Sequence, residues 1–262
     1  MRSLCSRVAG SCRWSGEYSF SVTTLLQRMV HQGTSKNEWA DRHRQALTTR
    51  HSHEDVLNDR EFELLLEACG DLPAPRGFEA RFICLLGGRL GLRAGEIAHF
   101  HSAWLDWNRK LIRIPQHEPC DCGYCRRQAR QEVAHNDQLT ETDAIASRWH
   151  PKTVASARSI PFDLSLRIEL CIERFANRYS GFPRSRSTVN RRVEEAAEQA
   201  NLTGRIYPHC LRATAASHHA YKGVALVPLQ ALMGWSDLAT AQKYIRISGT
   251  ATADALRRVH HK

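Results

Sequence analysis

From Asp163 to the C-terminus the apolar residues recur at helical spacing, and no run alternates as a half-buried strand would. Leu164, Ile168, Cys171, Ile172 and Phe175 line one face. Ser187 caps a helix reaching about Ala200, Asn201 stops it, and shorter helices fit 208–220, 227–233 and 238–246. A chain whose C-terminal part is all helix must build its core by helix packing, which leaves any sheet a minor part.

The upstream pattern agrees. Asn58-x-x-Glu61 reads as a helix cap with its reciprocal acid, and Phe62, Leu65, Leu66 and Cys69 follow at i, i+3, i+4 and i+7. Gly70 and Pro73 end that helix. A second spans about Phe78 to Leu90, with Gly91 suited to a left-handed cap. Ala103–Trp107 and Leu111–Pro115 are strand-like runs about an Asn108-Arg109-Lys110 turn, and Trp149–Thr153 with Ser159–Phe162 make a second hairpin. The expected fold is mainly α with a small antiparallel β-sheet. One ordered domain is expected over 55–247, interrupted at 116–148 by a Cys-, Gln- and Arg-rich segment. Residues 1–54 read as a disordered basic arm, or as sequence ahead of a later translation start. Residues 248–262 read as a tail, with Ala255, Leu256 and Val259 available to dock on a neighbouring protomer or simply frayed.

Charge narrows the function. The chain carries 37 Lys+Arg against 27 Asp+Glu, and residues 149–262 alone hold 17 basic and 8 acidic side chains. Such a concentrated excess points to a polyanion, of which nucleic acid is the commonest. No apolar run reaches the roughly 18 residues of a membrane helix. Nine cysteines, three of them within 120–125, argue for reduced thiols and against a secreted disulfide framework. Gly87-Gly88-Arg89-Leu90-Gly91 lacks the spacing of a dinucleotide loop, and no glycine loop is followed by a phosphate-binding lysine. His117-Glu118 ahead of Cys122-x-x-Cys125 has the wrong spacing for a zinc deaminase, and no carboxylate cluster suits a two-metal nuclease.

What remains is a set of cations and a tyrosine. Cleaving a phosphodiester without metal needs two fixed cationic donors for the non-bridging oxygens, a nucleophile, and an acid for the leaving alkoxide. Arg93 lies just past a helix end in Gly91-Leu92-Arg93-Ala94-Gly95-Glu96. His209 and Arg212 sit three apart on one helix turn opened by Pro208, and Trp235 and Tyr244 follow.

This order resembles the tyrosine recombinases, the phage integrase family. GLRAGEI at 91–97, HCLRATAAS at 209–217 and LMGWSDLATAQKY at 232–244 carry the likeness, which extends over about 55–247. The resemblance implies that Arg93 and Arg212 clamp the scissile phosphate. Tyr244 then attacks it, leaving a 3′-phosphotyrosyl link and a free 5′-hydroxyl. It implies that Lys152, on the second hairpin, protonates the leaving oxygen, and that His209 binds the phosphate and helps move the tyrosine's proton. Trp235 stands where members more often carry His; its indole N–H donates but cannot transfer a proton. Glu96 matches an acid that orients a neighbouring cation. His218 and His219 match no family position and read as helix-surface residues.

The implied activity is site-specific DNA recombination or integration. A type IB-like DNA-relaxing enzyme and a non-catalytic remnant of an integrated element are the alternatives. The implied partners are double-stranded DNA and further copies of the chain, four in a recombination complex, with no membrane. The implied setting is the cytoplasm, at the nucleoid. Catalysis by transesterification requires neither ATP nor a metal ion. Integrases usually carry a helical DNA-clamping domain first, for which residues 1–54 leave no room, so self-association or a partner is expected to supplement DNA binding. The segment His117–Cys125 resembles a cysteine-bearing insertion of archaeal members. Cys120, Cys122, Cys125 and His117 are candidate ligands of a structural zinc, with free or redox-labile thiols as the other reading.

Overall fold

The computed structural model describes residues 56–202 and 205–247. The expected arm and the expected tail lie outside them. The first helix, α1 (Asp59–Asp71), is closed by the reciprocal cap, Glu61 N donating to Asn58 and Asn58 N to the Glu61 carboxylate, both at 2.9 Å. Its predicted apolar face, Phe62, Leu65, Leu66 and Cys69, is buried. Helix α2 (Arg76–Gly88) begins two residues earlier and ends two earlier than its periodicity suggested, because Pro75 serves as N-cap. It is the central element, packed on α1, on α7 (Arg186–Gln199) and on α8 (Pro208–Tyr221). Phe82 on α2 stacks on Phe175 at 4.4 Å and meets Phe100 edge-on at 5.4 Å, so aromatic contacts fill the middle of the core.

After the short helix α3 (Ala94–Ala98) the chain enters a three-stranded antiparallel sheet of order β1 (Leu105–Asp106), β2 (Leu111–Ile114), β3 (Arg158–Pro161). Leu105 faces Ile112, and Ile112 faces Ile160. Lys110 takes the positive φ that closes the first hairpin. The second expected hairpin does not form. Trp149–Thr153 has no ladder partner in the sheet, and β3 pairs directly with β2. Trp149 instead exchanges backbone hydrogen bonds with Glu118, and Cys120 N donates to Arg148 O at 2.8 Å. Those bonds tie the two ends of the interruption together. Between them α4 (Gly123–Val133) and α5 (Glu141–Ala146) pack on each other.

The remaining helices are α6 (Leu166–Ala176), α7, α8, α9 (Leu226–Met233) and α10 (Leu238–Ile247). Ser165 caps α6 and leaves Leu164 outside it, exposed. Ser185, not Ser187, caps α7. Asn201 stops α7 with a positive φ, as its side chain permits. A second apolar cluster joins α8, α9 and α10 through Ala213, Ala216, Leu229, Met233 and Tyr244. His219 is a correction to the sequence reading: it is 9% exposed and hydrogen-bonds Arg89 O at 2.7 Å, while His218 pairs with Asp59 at 2.9 Å. No helix of the described residues is long and apolar enough to cross a membrane.

Candidate active site

The site is organised by a buried carboxylate. Arg93 caps α3, and Glu96, three residues on, turns back so that Oε2 accepts the Arg93 backbone N–H at 2.8 Å. Glu96 Oε1 accepts the Arg93 guanidinium, also at 2.8 Å. The same carboxylate receives Arg158, the first residue of β3, through both oxygens at 2.9 and 3.1 Å. Glu96 is 2% exposed. Burial would raise its pKa, but Arg158, Arg212 and Arg93 outweigh that and hold the carboxyl below its ordinary range. Ser156 Oγ accepts from Arg93 at 2.9 Å, and Gly234 O accepts from its other terminal nitrogen at 2.9 Å.

Arg212 arrives from α8, which Pro208 opens at a position where a missing N–H costs nothing. Its two terminal nitrogens donate to Gly91 O and Met233 O. Arg93 and Arg212 are thereby fixed on consecutive carbonyls, Gly234 and Met233. Two turns make this possible. Gly91 (φ +70°) and Gly234 (φ +58°) are both left-handed, and a Cβ on Gly91 would meet Met233 Sδ at 2.6 Å. Burial first, then Arg93, lowers the Arg212 pKa to about 9, which leaves the guanidinium charged at neutral pH. Each guanidinium carries five N–H groups, so these bonds use only part of each fork.

Trp235 follows the turn and stacks face to face on Tyr244 of α10, with centroids at 5.2 Å and an 11° interplanar angle. The Arg212 guanidinium lies 5.8 Å over the same indole. Tyr244 is 8% exposed; burial raises its pKa and Arg212 offsets part of the rise, so the resting group is a phenol. His209, on the first turn of α8, is pushed below its ordinary pKa by burial and then by Arg212, Arg93 and Lys152. The last effect places the Lys152 charge within electrostatic reach of the imidazole. Lys152 itself is exposed, in the irregular segment leading to the 3₁₀ turn Val154–Ser156. The structure therefore groups Arg93, Glu96, His209, Arg212, Trp235 and Tyr244, while Lys152 lies exposed on a non-hairpin segment and its charge acts on His209.

The fourth residue near the thiols differs from the one expected. His99, Cys120, Cys122 and Cys125 bring one ligand atom each within 4.8 Å of one another. His117 points elsewhere, its Nε2 bonding Ala146 O at 2.8 Å. Sequence adjacency favoured His117; the fold brings α3's end to the thiols instead. Arg158 and Ser156 were also missed. Ala157-Arg158-Ser159-Ile160-Pro161 shows an arginine opening a strand, but nothing local says that it reaches a carboxylate 62 positions away.

Residues 55–250 match the Phage integrase family. Among curated proteins, the tyrosine recombinase XerC of Chlamydia caviae is 27% identical over 242 residues, covering 90% of this chain and 66% of that protein. XerC of Natranaerobius thermophilus is 24% identical over 206 residues, covering 79% and 62%. The chain thus spans slightly under two thirds of the length of these relatives. Among solved structures, XerA recombinase aligns with a TM-score of 0.52 and 16% identity over 79% of this chain and 65% of that one. The Tn1549 transposon integrase in complex with transposon right end DNA aligns at 0.54 and 15%, over 79% and 66%. At such identities the structural matches speak for the fold alone.

Proposed function

The chain belongs to the phage integrase family, and from that membership we propose that it is a site-specific recombinase acting on double-stranded DNA through a 3′-phosphotyrosyl intermediate. One observation carries the reading: Tyr244 is stacked on the Trp235 indole over which the Arg212 guanidinium lies, and that guanidinium is anchored with Arg93 on the Met233–Gly234 carbonyls. A phosphate between the two forks has its non-bridging oxygens neutralised from both sides.

The Tyr244 oxygen then forms a bond to phosphorus as the bond to the 5′-oxygen breaks. The neutral His209, kept so by its depressed pKa, accepts or relays the phenolic proton. Lys152 supplies the proton that the 5′-oxygen takes. Trp235 fixes the phenol by stacking, a role an imidazole would fill less well by area. Glu96 touches no reacting atom in this scheme; it positions Arg93. The bond energy is conserved in the tyrosyl phosphate, so rejoining is the reverse attack by a 5′-hydroxyl and calls for no ATP or catalytic metal. Strand exchange between two sites calls for four protomers, and the protein's working place is then the nucleoid in the cytoplasm.

The test is covalent trapping by the full chain on a pool of nicked duplexes of randomised sequence, in which the short 5′-leaving strand diffuses away. An adduct that survives denaturation is expected, absent in Tyr244→Phe while DNA binding persists. An adduct formed equally by Tyr244→Phe, or none by the parent protein under conditions where it binds DNA, overturns the proposal. Products joined between two duplexes separate recombination from simple relaxation.

A further inference from the structure

We propose that His99, Cys120, Cys122 and Cys125 bind a structural zinc ion that fastens the 116–148 interruption to the end of α3. Three thiols and one imidazole form a set that zinc accepts as a closed tetrahedral site. The spacing of their ligand atoms fits. Ligands at zinc distances of about 2.0–2.3 Å stand about 3.4–3.8 Å apart at tetrahedral angles. His99 Nε2 lies 3.6 Å from Cys122 Sγ and 3.4 Å from Cys125 Sγ.

The imidazole is prepared for the task independently of the thiols. Its Nδ1 donates to Gly95 O at 2.8 Å, which puts the ring proton there and turns the Nε2 lone pair toward the sulfurs. A second bond from the remote ring nitrogen to a backbone carbonyl is the usual way a metal-bound histidine is oriented. The ring is further clamped by Trp149, stacked at 4.8 Å with an 11° interplanar angle. Cys122 caps α4 and Cys125 lies in its first turn, so helix geometry points both sulfurs the same way. Cys122 N lies 3.5 Å from Cys120 Sγ and donates to it. All four protein positions are filled, so no coordination place remains for water, and the ion's role is to hold structure.

The site reinforces a junction already made by Trp149, which stacks on His99 and on Trp104. Cys120 is next to the backbone pairing at Arg148–Trp149, and His99 ends the helix that carries Glu96. Metal binding therefore links both ends of the interruption to the framework of the arginine pair. This inference stands on its own geometry and does not depend on the recombinase reading.

The experiment measures metal in full-length protein produced with zinc supplementation and dialysed against metal-free buffer. About one zinc per chain is expected in the parent and in His117→Gln, and a loss of most of it in Cys122→Ser and in His99→Gln. Cobalt exchanged into the parent protein is expected to give the intense visible bands of a tetrahedral thiolate site, a readout that needs no variant to fold. Chelation should lower the thermal midpoint of the parent. Less than half an equivalent of zinc, full zinc in Cys122→Ser, octahedral-type cobalt spectra, or an unmoved midpoint after complete metal removal each overturn the proposal. Loss of zinc in His117→Gln with retention in His99→Gln overturns the assignment of the fourth ligand.

Discussion

Glu96 and Arg158, 62 positions apart, form a two-pronged ion pair at 2.9 and 3.1 Å that is 2% and 6% exposed at its two ends. Arg158 also donates to Leu232 O at 2.7 Å and to Ser156 O at 2.8 Å, so its side chain connects α3, the 3₁₀ turn and α9. The pair is the floor on which Arg93 rests. Arg93 shares Glu96 Oε1 with it, and Ser156 contacts both arginines.

Removing one member of this group strands the others. Glu96→Ala leaves two guanidiniums beside a buried void, and loss of a partner from a buried pair costs about 3–5 kcal/mol. Chemical denaturation of the variant should show a drop of that size. Glu96→Gln keeps the shape and should lose less stability, while still slowing DNA cleavage because Arg93 is no longer held by charge. Equal stability of Glu96→Ala and the parent would show that the carboxylate is not buried among these cations.

Gly234 is sensitive for two reasons. Its φ of +58° strains any L side chain, and a Cβ there would stand 2.8 Å from Ala155 O and 2.9 Å from Arg158 Cδ. The backbone penalty alone is of order 1 kcal/mol. Gly234→Ala should therefore be destabilised and should cleave poorly, since the Gly234 carbonyl anchors Arg93 and the Met233 carbonyl anchors Arg212. Gly95→Ala is the contrast, with nothing near its added Cβ, and is expected to behave like the parent in a thermal melt.

Acidification should weaken the fold well before the carboxylates titrate. His209, His218 and His219 are all held below the ordinary histidine pKa of 6.5, burial being the largest cause in each. Below pH 6.5 the unfolded chain then binds more protons than the folded one, so stability falls as pH falls. The contribution is intact above 6.5 and declines between there and the lower folded values. Glu96 acts in a separate window. Its folded pKa is lowered from 4.5, so its stabilisation persists until pH falls below that value. Urea midpoints measured from pH 7.5 to 5.5 should decline, and His219→Gln should flatten the decline. A midpoint that rises on acidification would contradict the neutral state of these rings in the folded protein.

Local sequence settled what depends on neighbours along the chain. Periodicity and caps gave α1 through its Asn58–Glu61 reciprocal bonds, the face of α6, and the opening of α8 at Pro208, because a helix is specified within a turn or two by its own residues. Arg93, His209, Arg212 and Tyr244 were legible as candidates because each lies in a short distinctive motif. Where those motifs meet is a different matter. The Trp149–Thr153 hairpin failed, since strand pairing is decided by a partner and β2 had already found β3. His117 was chosen over His99 for its nearness in sequence, and the fold chose by nearness in space. Arg158 was invisible for the same reason. A buried ion pair between residues 62 apart has no signature in either segment, because its energy exists only after the core has closed and removed both groups from water.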